Sequence, residues 1–153
     1  MLTEIKVKSG VIENSYFLKG DKPISLQVDT GMHGDEQGII PSVKAVLDSH
    51  LSQLETLLYI PEVSPSAVKL GTRENAQGHD INRSFIEGTS DQEASLTMDI
   101  IRRLEPAVCV SFHEDPKRLY IYDAGDLSLE GSQSLATLRE EVRTLGVPLL
   151  SGM

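Results

Sequence analysis

His33-Gly34-Asp35-Glu36 sets an imidazole three residues ahead of a carboxylate. In a helical or turn-like backbone, positions i and i+3 fall on one side, so both side chains can reach a single cation. Gly31 and Gly34 permit the tight backbone that such a loop requires. A third ligand has to come from another part of the chain, and His113 is the natural candidate. Two histidines and a glutamate with one open position make a standard catalytic zinc arrangement. Nickel, cobalt and manganese accept the same donors. A His and a Glu at this spacing also occur in ordinary surface loops, so the pattern needs independent support.

A second informative stretch runs from Pro65 to Asn75 and on through Gly78-His79-Asp80-Ile81-Asn82-Arg83-Ser84-Phe85. Its arginines, Arg73 and Arg83, carry a permanent charge on a fork that fits a carboxylate or polarises a carbonyl oxygen. Two of them in one loop beside a metal suggest a pocket for an anionic substrate; a solvated basic loop is the plainer alternative. His50 ends a predicted helix, where a positive charge suits the macrodipole. His79, beside Asp80, is read as structural or peripheral. Cys109 lies four residues before His113 on one predicted strand, about 13 Å away and too far for a thiol–imidazole pair. It is read as a small buried hydrophobe.

These residues need a scaffold, and the hydrophobic pattern supplies one. Glu4–Lys8 and Ser15–Leu18 read as short strands, and Ile24–Val28 alternates as a half-buried strand should. Ile39, Ile40, Val43, Val46 and Leu47 form a helical stripe with Pro41 near its start. Leu57–Ile60 is a compact buried strand. The stretch Glu62–Glu87 reads as long and irregular, which inside a compact domain points to function or disorder. Ser90 and Glu93 resemble a capping box opening a helix that carries Ala94, Met98, Ile101 and Leu104 on one face and stops at Pro106. Ala107–Phe112 is an apolar strand ending at His113, and Leu119–Tyr122 a short one. Leu135, Leu138, Val142 and Leu145 mark a last helix, and Val147–Leu150 looks like an entering strand.

Strands alternating with helices predict an α/β fold: a mixed, largely parallel sheet with helices on both faces. Ligands in such sheets bind beyond the carboxyl ends of strands. His33 and His113 both fall just after predicted strands. The 153 residues fit one domain.

The bulk numbers narrow the chemistry. A formal charge of −9 and the absence of Trp argue against a phosphate backbone or stacked bases as partner. No stretch reaches the roughly 18 apolar residues that span a bilayer, and the N-terminus lacks the apolar run of a signal peptide. One cysteine excludes an internal disulfide, which makes a cytoplasmic location the default expectation.

The ordered set His33-Gly34-Asp35-Glu36, Arg73, Asp80-Ile81-Asn82-Arg83 and strand-end His113 resembles the motif set of the zinc carboxypeptidase family. Its relatives, the succinylglutamate desuccinylases and aspartoacylases, share that set. The resemblance runs from about Leu26 to Tyr122, with Phe112-His113-Glu114-Asp115 and Tyr120-Ile121-Tyr122 closest to bacterial members. It implies one Zn2+ held by His33, Glu36 and His113, with Asp80 hydrogen-bonded to the first histidine. It further implies that Asn82 and Arg83 grip a substrate carboxylate while Arg73 stabilises the oxyanion. The substrate implied is a peptide with a free C-terminus or, as the alternative, an N-acyl amino acid; a non-catalytic metal-binding relative is the rival from outside enzymes. In this family the general-base glutamate lies well past the third ligand, beyond Met153. The expectation is therefore the N-terminal zinc-binding part of a catalytic domain, truncated at its C-terminus.

Overall fold

The structure, a computed structural model, describes residues 1–115, 117, 121–123, 133–146 and 148–151. It divides into two compact units, Met1–Glu114 and Asp115–Met153.

The first unit is built on a five-stranded mixed sheet in the order β1-β2-β4-β3-β5. Strands β1 (Thr3–Ser9) and β2 (Ile12–Lys19) form an antiparallel hairpin, and β2 continues antiparallel onto β4 (Leu57–Ile60). The strand β3 (Leu26–Asp29) lies parallel to β4 on one side and to β5 (Val108–Ser111) on the other. Alternation along β4 sorts the core into two layers. Leu58 and Ile60 pack with Ala94, Ile100 and Leu104 of α3 (Gln92–Leu104), whereas Leu57 and Tyr59 pack with Val43 and Leu47 of α1 (Ile39–His50). The sheet therefore carries a helix on each face, as the pattern predicts.

Pro41 sits in the first turn of α1, where its missing N–H costs nothing. Two expectations shift by a few residues. The strand expected at Ile24–Val28 begins at Leu26, although Ile24 is still buried and its carbonyl accepts a hydrogen bond from Ala107. The buried line of α3 runs through Ala94, Leu96, Thr97, Ile100 and Leu104, leaving Met98 and Ile101 half-buried.

Three local readings are corrected. The stretch Glu62–Glu87 is not wholly irregular: it contains α2 (Pro65–Leu70). Proline at its first position and Gly71 in the left-handed conformation at its end (φ 67°) are the signals for that helix. It is too short to display an apolar period. The N-cap of α3 is Asp91 rather than Ser90, with its carboxylate accepting from the Ala94 N–H at 2.8 Å. Glu93 does not return to the backbone as a capping box requires; it binds Ser64 and Ser66. Cys109 is exposed rather than buried, on a strand whose residues alternate half-buried and exposed.

In the second unit, β6 (Ile121–Asp123) and β7 (Leu149–Ser151) pair in parallel, joined through α4 (Gln133–Thr144), whose Val142 is buried. Leu119 and Tyr120, read as strand, lie outside the described residues.

Candidate metal centre

The parallel pairing of β3 with β5 brings the two histidines together. Asp29 and Ser111 are paired at the carboxyl ends of these strands. His33 follows four residues after the first and His113 two residues after the second, so both emerge at the same edge of the sheet. Their ring centroids lie 5.1 Å apart. Between them stands Glu36, on the short 3-10 turn Gly34–Glu36. Its Oε1 lies 2.8 Å from His33 Nδ1 and its Oε2 lies 2.7 Å from His113 Nδ1. One ligand atom from each of the three side chains falls within 4.8 Å of the others.

The loop is held in place by close backbone contact. Gly31 has φ +61°, and a Cβ there would stand 2.8 Å from the Pro61 carbonyl oxygen. The Gly34 N–H donates to the Thr72 carbonyl at 2.8 Å. Glu114, whose spacing carried no clear signal in the sequence, joins the two ligand segments. Its N–H donates to Glu36 Oε2 at 3.3 Å, and its carboxylate accepts from the Gly38 N–H at 3.2 Å.

Asp80 orients the first imidazole. Its Oδ1 lies 3.0 Å from His33 Nε2 and also accepts from the Asn82 N–H at 3.1 Å. Its Oδ2 receives both Nε (3.1 Å) and Nη2 (2.9 Å) of Arg73. A carboxylate opposite Nε2 places the ring proton there and leaves the lone pair on Nδ1, the nitrogen that faces Glu36. With that tautomer, Nδ1 and Glu36 Oε1 are two acceptors at hydrogen-bond distance. Arg73 Nη1 reaches toward both, at 3.5 Å and 3.7 Å, and a further proton on His33 or a metal cation would join them more closely. The donor set fits a divalent ion: one nitrogen from each imidazole and a carboxylate oxygen lie within 4.8 Å of one another.

The electrostatics agree. Burial works to raise the Glu36 carboxyl, but the facing rings of His33 and His113, through hydrogen bonds and charge when their Nδ1 atoms carry the proton, outweigh it and hold the group below the usual carboxylate range. Asp80 is likewise held low, with burial opposed by His33 and Arg73. His33 is 2% exposed, so this imidazole is a fixed part of the interior rather than a loop residue in water.

Arg73 is closer to the candidate ligands than its loop position suggests. Besides gripping Asp80, its Nη1 stands 3.7 Å from Glu36 Oε1 and 3.5 Å from His33 Nδ1. Asn82 and Arg83 lie on the 3-10 turn Ile81–Arg83 directly after Asp80, and both are exposed. Among the described residues, neither side chain makes a hydrogen bond or ion pair.

No family model matches the chain. Murein peptide amidase A of Escherichia coli K12 is 28% identical over 121 residues, covering 57% of this chain and 50% of that protein. The chain thus spans about half the length of the curated relatives it matches. A metallo-carboxypeptidase from Burkholderia cenocepacia superposes with a TM-score of 0.79 at 16% identity, over 99% of this chain and 49% of that one. An aspartoacylase family protein from Mesorhizobium loti gives a TM-score of 0.74 at 17% identity, over 99% of this chain and 52% of that one. The motifs read from His33 through His113 and the comparisons agree: this chain has the fold shared by metallocarboxypeptidases and aspartoacylase family proteins, and that is the family it resembles.

Proposed function

We propose that this chain is the zinc-binding part of a metal-dependent amide hydrolase that cleaves next to a carboxylate-bearing residue. The observation that carries the reading is the convergence of His33 Nδ1, His113 Nδ1 and the Glu36 carboxylate on one point, with Asp80 behind the first imidazole. Zinc, when bound, supplies a Lewis acid and lowers the pKa of water toward neutrality. The chain's own residues supply orientation and charge. Asp80 holds the His33 ring in one tautomer. Arg83 and Asn82 anchor the substrate carboxylate, a role that suits their exposed, unengaged side chains. Arg73 faces the developing negative charge on the scissile carbonyl. None of this chain's residues is assigned as general base. The single catalytic domain and the cytoplasmic setting are part of the same reading, the latter favoured by the lone thiol.

A peptide with a free C-terminus is the first substrate class. The similarity to a murein peptide amidase and to a metallo-carboxypeptidase supports it. An N-acyl amino acid is the second reading, favoured by the likeness to an aspartoacylase family protein. Zinc titration of metal-free protein tests the centre, and parallel assays on a C-terminal peptide and an N-acyl amino acid test the substrate. Turnover confined to the N-acyl amino acid ends the peptidase reading. Failure to bind zinc ends both.

A further inference from the structure

The segment that carries Arg73, Asp80, Asn82 and Arg83 is held by side chains as well as by its own backbone turns. It is tied to the first turn of α3, about ten residues further along. Asp91, 1% exposed, accepts at Oδ2 from Asn75 Nδ2 (2.6 Å) and from His79 Nδ1 (3.0 Å), while its Oδ1 caps Ala94. Asn75, 4% exposed, returns its own Oδ1 to the N–H groups of Gln77 and His79. The Asn75 N–H donates to the His79 carbonyl, which closes the turn. Gln77 Oε1 accepts from the Gln92 N–H at 2.9 Å. Two residues along α3, Glu93 holds the other end: Ser64 Oγ at 2.5 Å and the Ser66 N–H at 2.9 Å. Ser66 Oγ in turn accepts from the Ala76 N–H at 2.9 Å.

We propose that Asp91, His79 and Asn75 form a clamp that positions Asp80 against His33, and that His79 is a positioning residue for the metal centre. The proposal rests on the metal reading given above. Both Asp91 oxygens already accept from N–H groups, of Asn75 and Ala94, so the carboxylate faces His79 as an acceptor and His79 donates its Nδ1–H to it. A buried carboxylate deprived of one donor is costly, which makes this link strong enough to hold a turn. His79 is joined through one peptide bond to Asp80, whose Oδ1 lies 3.0 Å from His33 Nε2. A shift of the turn therefore moves the carboxylate that sets the tautomer of the first ligand. Orienting partners of ligand histidines govern metal affinity in this way.

His79→Leu and His79→Asn separate the bond from the bulk, because the asparagine amide nitrogen occupies the same position along the side chain as Nδ1. The first readout is native-state amide hydrogen exchange at Asn75, Gln77 and His79 (the amide of residue 79 in each variant), with Ala94 as an internal reference for the cap. The second is zinc affinity measured by chelator competition. In His79→Leu, exchange at the loop amides is expected to rise at least about tenfold while Ala94 is unchanged. Zinc affinity is expected to drop on the order of threefold to tenfold, less than for a direct partner of a ligand. His79→Asn is expected to restore both. Native loop exchange in His79→Leu, or equal losses in both variants, would overturn the clamp. A native chain that binds no zinc counts against the metal reading instead, and the exchange arm alone then decides the clamp.

Discussion

The carbonyl oxygen of Ala67 stands where a side chain on Gly34 would begin: a Cβ built on Gly34 would lie 1.8 Å from that oxygen. The contact is backbone against backbone, so no rotamer change relieves it. Gly34 follows His33 and opens the turn that presents Glu36, and α2 supplies the surface on which that loop rests. Gly34→Ala must push the loop off α2 or break the hydrogen bond to Thr72. A loss at the upper end of overpacking costs, about 3 kcal/mol or more, is expected from urea denaturation midpoints. A variant with native stability and native zinc affinity would show that the loop has another resting place.

Asp80 makes a sharper test of the centre than the ligands themselves, because its removal leaves all three donors in the chain. Asp80→Asn keeps the shape and loses the charge opposite His33 Nε2. Its affinity for zinc is expected to fall 10–100-fold, the range found for such partners. His33→Ala is expected to abolish stoichiometric binding under the same conditions. Chelator competition on both variants checks this, and native affinity in Asp80→Asn would detach the carboxylate from the metal.

Asp29 ties stability to pH at the carboxyl end of β3. Burial raises its carboxyl, only partly offset by hydrogen bonds from Ser111, Gln27 and Cys109 and by His113 when that ring is protonated. The sign follows from linkage. A carboxyl whose folded pKa lies above its unfolded value of about 3.9 binds its proton more tightly in the folded chain. Stability therefore falls as pH rises from that unfolded value through the raised folded one, then stays level in this respect. Asp29→Asn is expected to lose that slope. Denaturation midpoints from pH 4 upward, compared between the two proteins, test it; parallel curves would mean that Asp29 does not carry the dependence.

The parts of the centre that were legible in the sequence are those fixed by short-range spacing and by strand ends. His33 and Glu36 share a turn, and His113 follows an apolar run, so their meeting needed only that the two strands be parallel neighbours. Asp80, Asn82 and Arg83 were readable as one motif. What spacing does not show depends on contacts across the fold. Helix α2 is six residues long and has no period to detect, although Pro65 and Gly71 mark its ends. Glu93 sits three residues after Ser90 as a capping box demands, yet its carboxylate turns to α2 because Asp91 already caps α3. His79, read as structural or peripheral, takes the structural part, bound to a buried carboxylate sixteen residues beyond Asn75.

Arg73 separates metal binding from catalysis. Its guanidinium stands 3.5 Å from His33 Nδ1 and 3.7 Å from Glu36 Oε1, close to where a divalent ion would sit. Like charges repel, so the arginine opposes the cation even as it holds Asp80 in place. About half of its side chain is exposed (49%), and solvent weakens both effects. If the proposed role toward the substrate oxyanion is the reason for its position, Arg73→Gln should bind zinc at least as tightly as the native chain. The glutamine still reaches toward Asp80 but carries no charge against the metal. Turnover of whichever substrate the native protein accepts is expected to fall about 100-fold or more, the cost of losing one oxyanion donor. A large loss of zinc affinity in Arg73→Gln would instead make the grip on Asp80 the reason for its position, and the oxyanion role would then have to pass to another group.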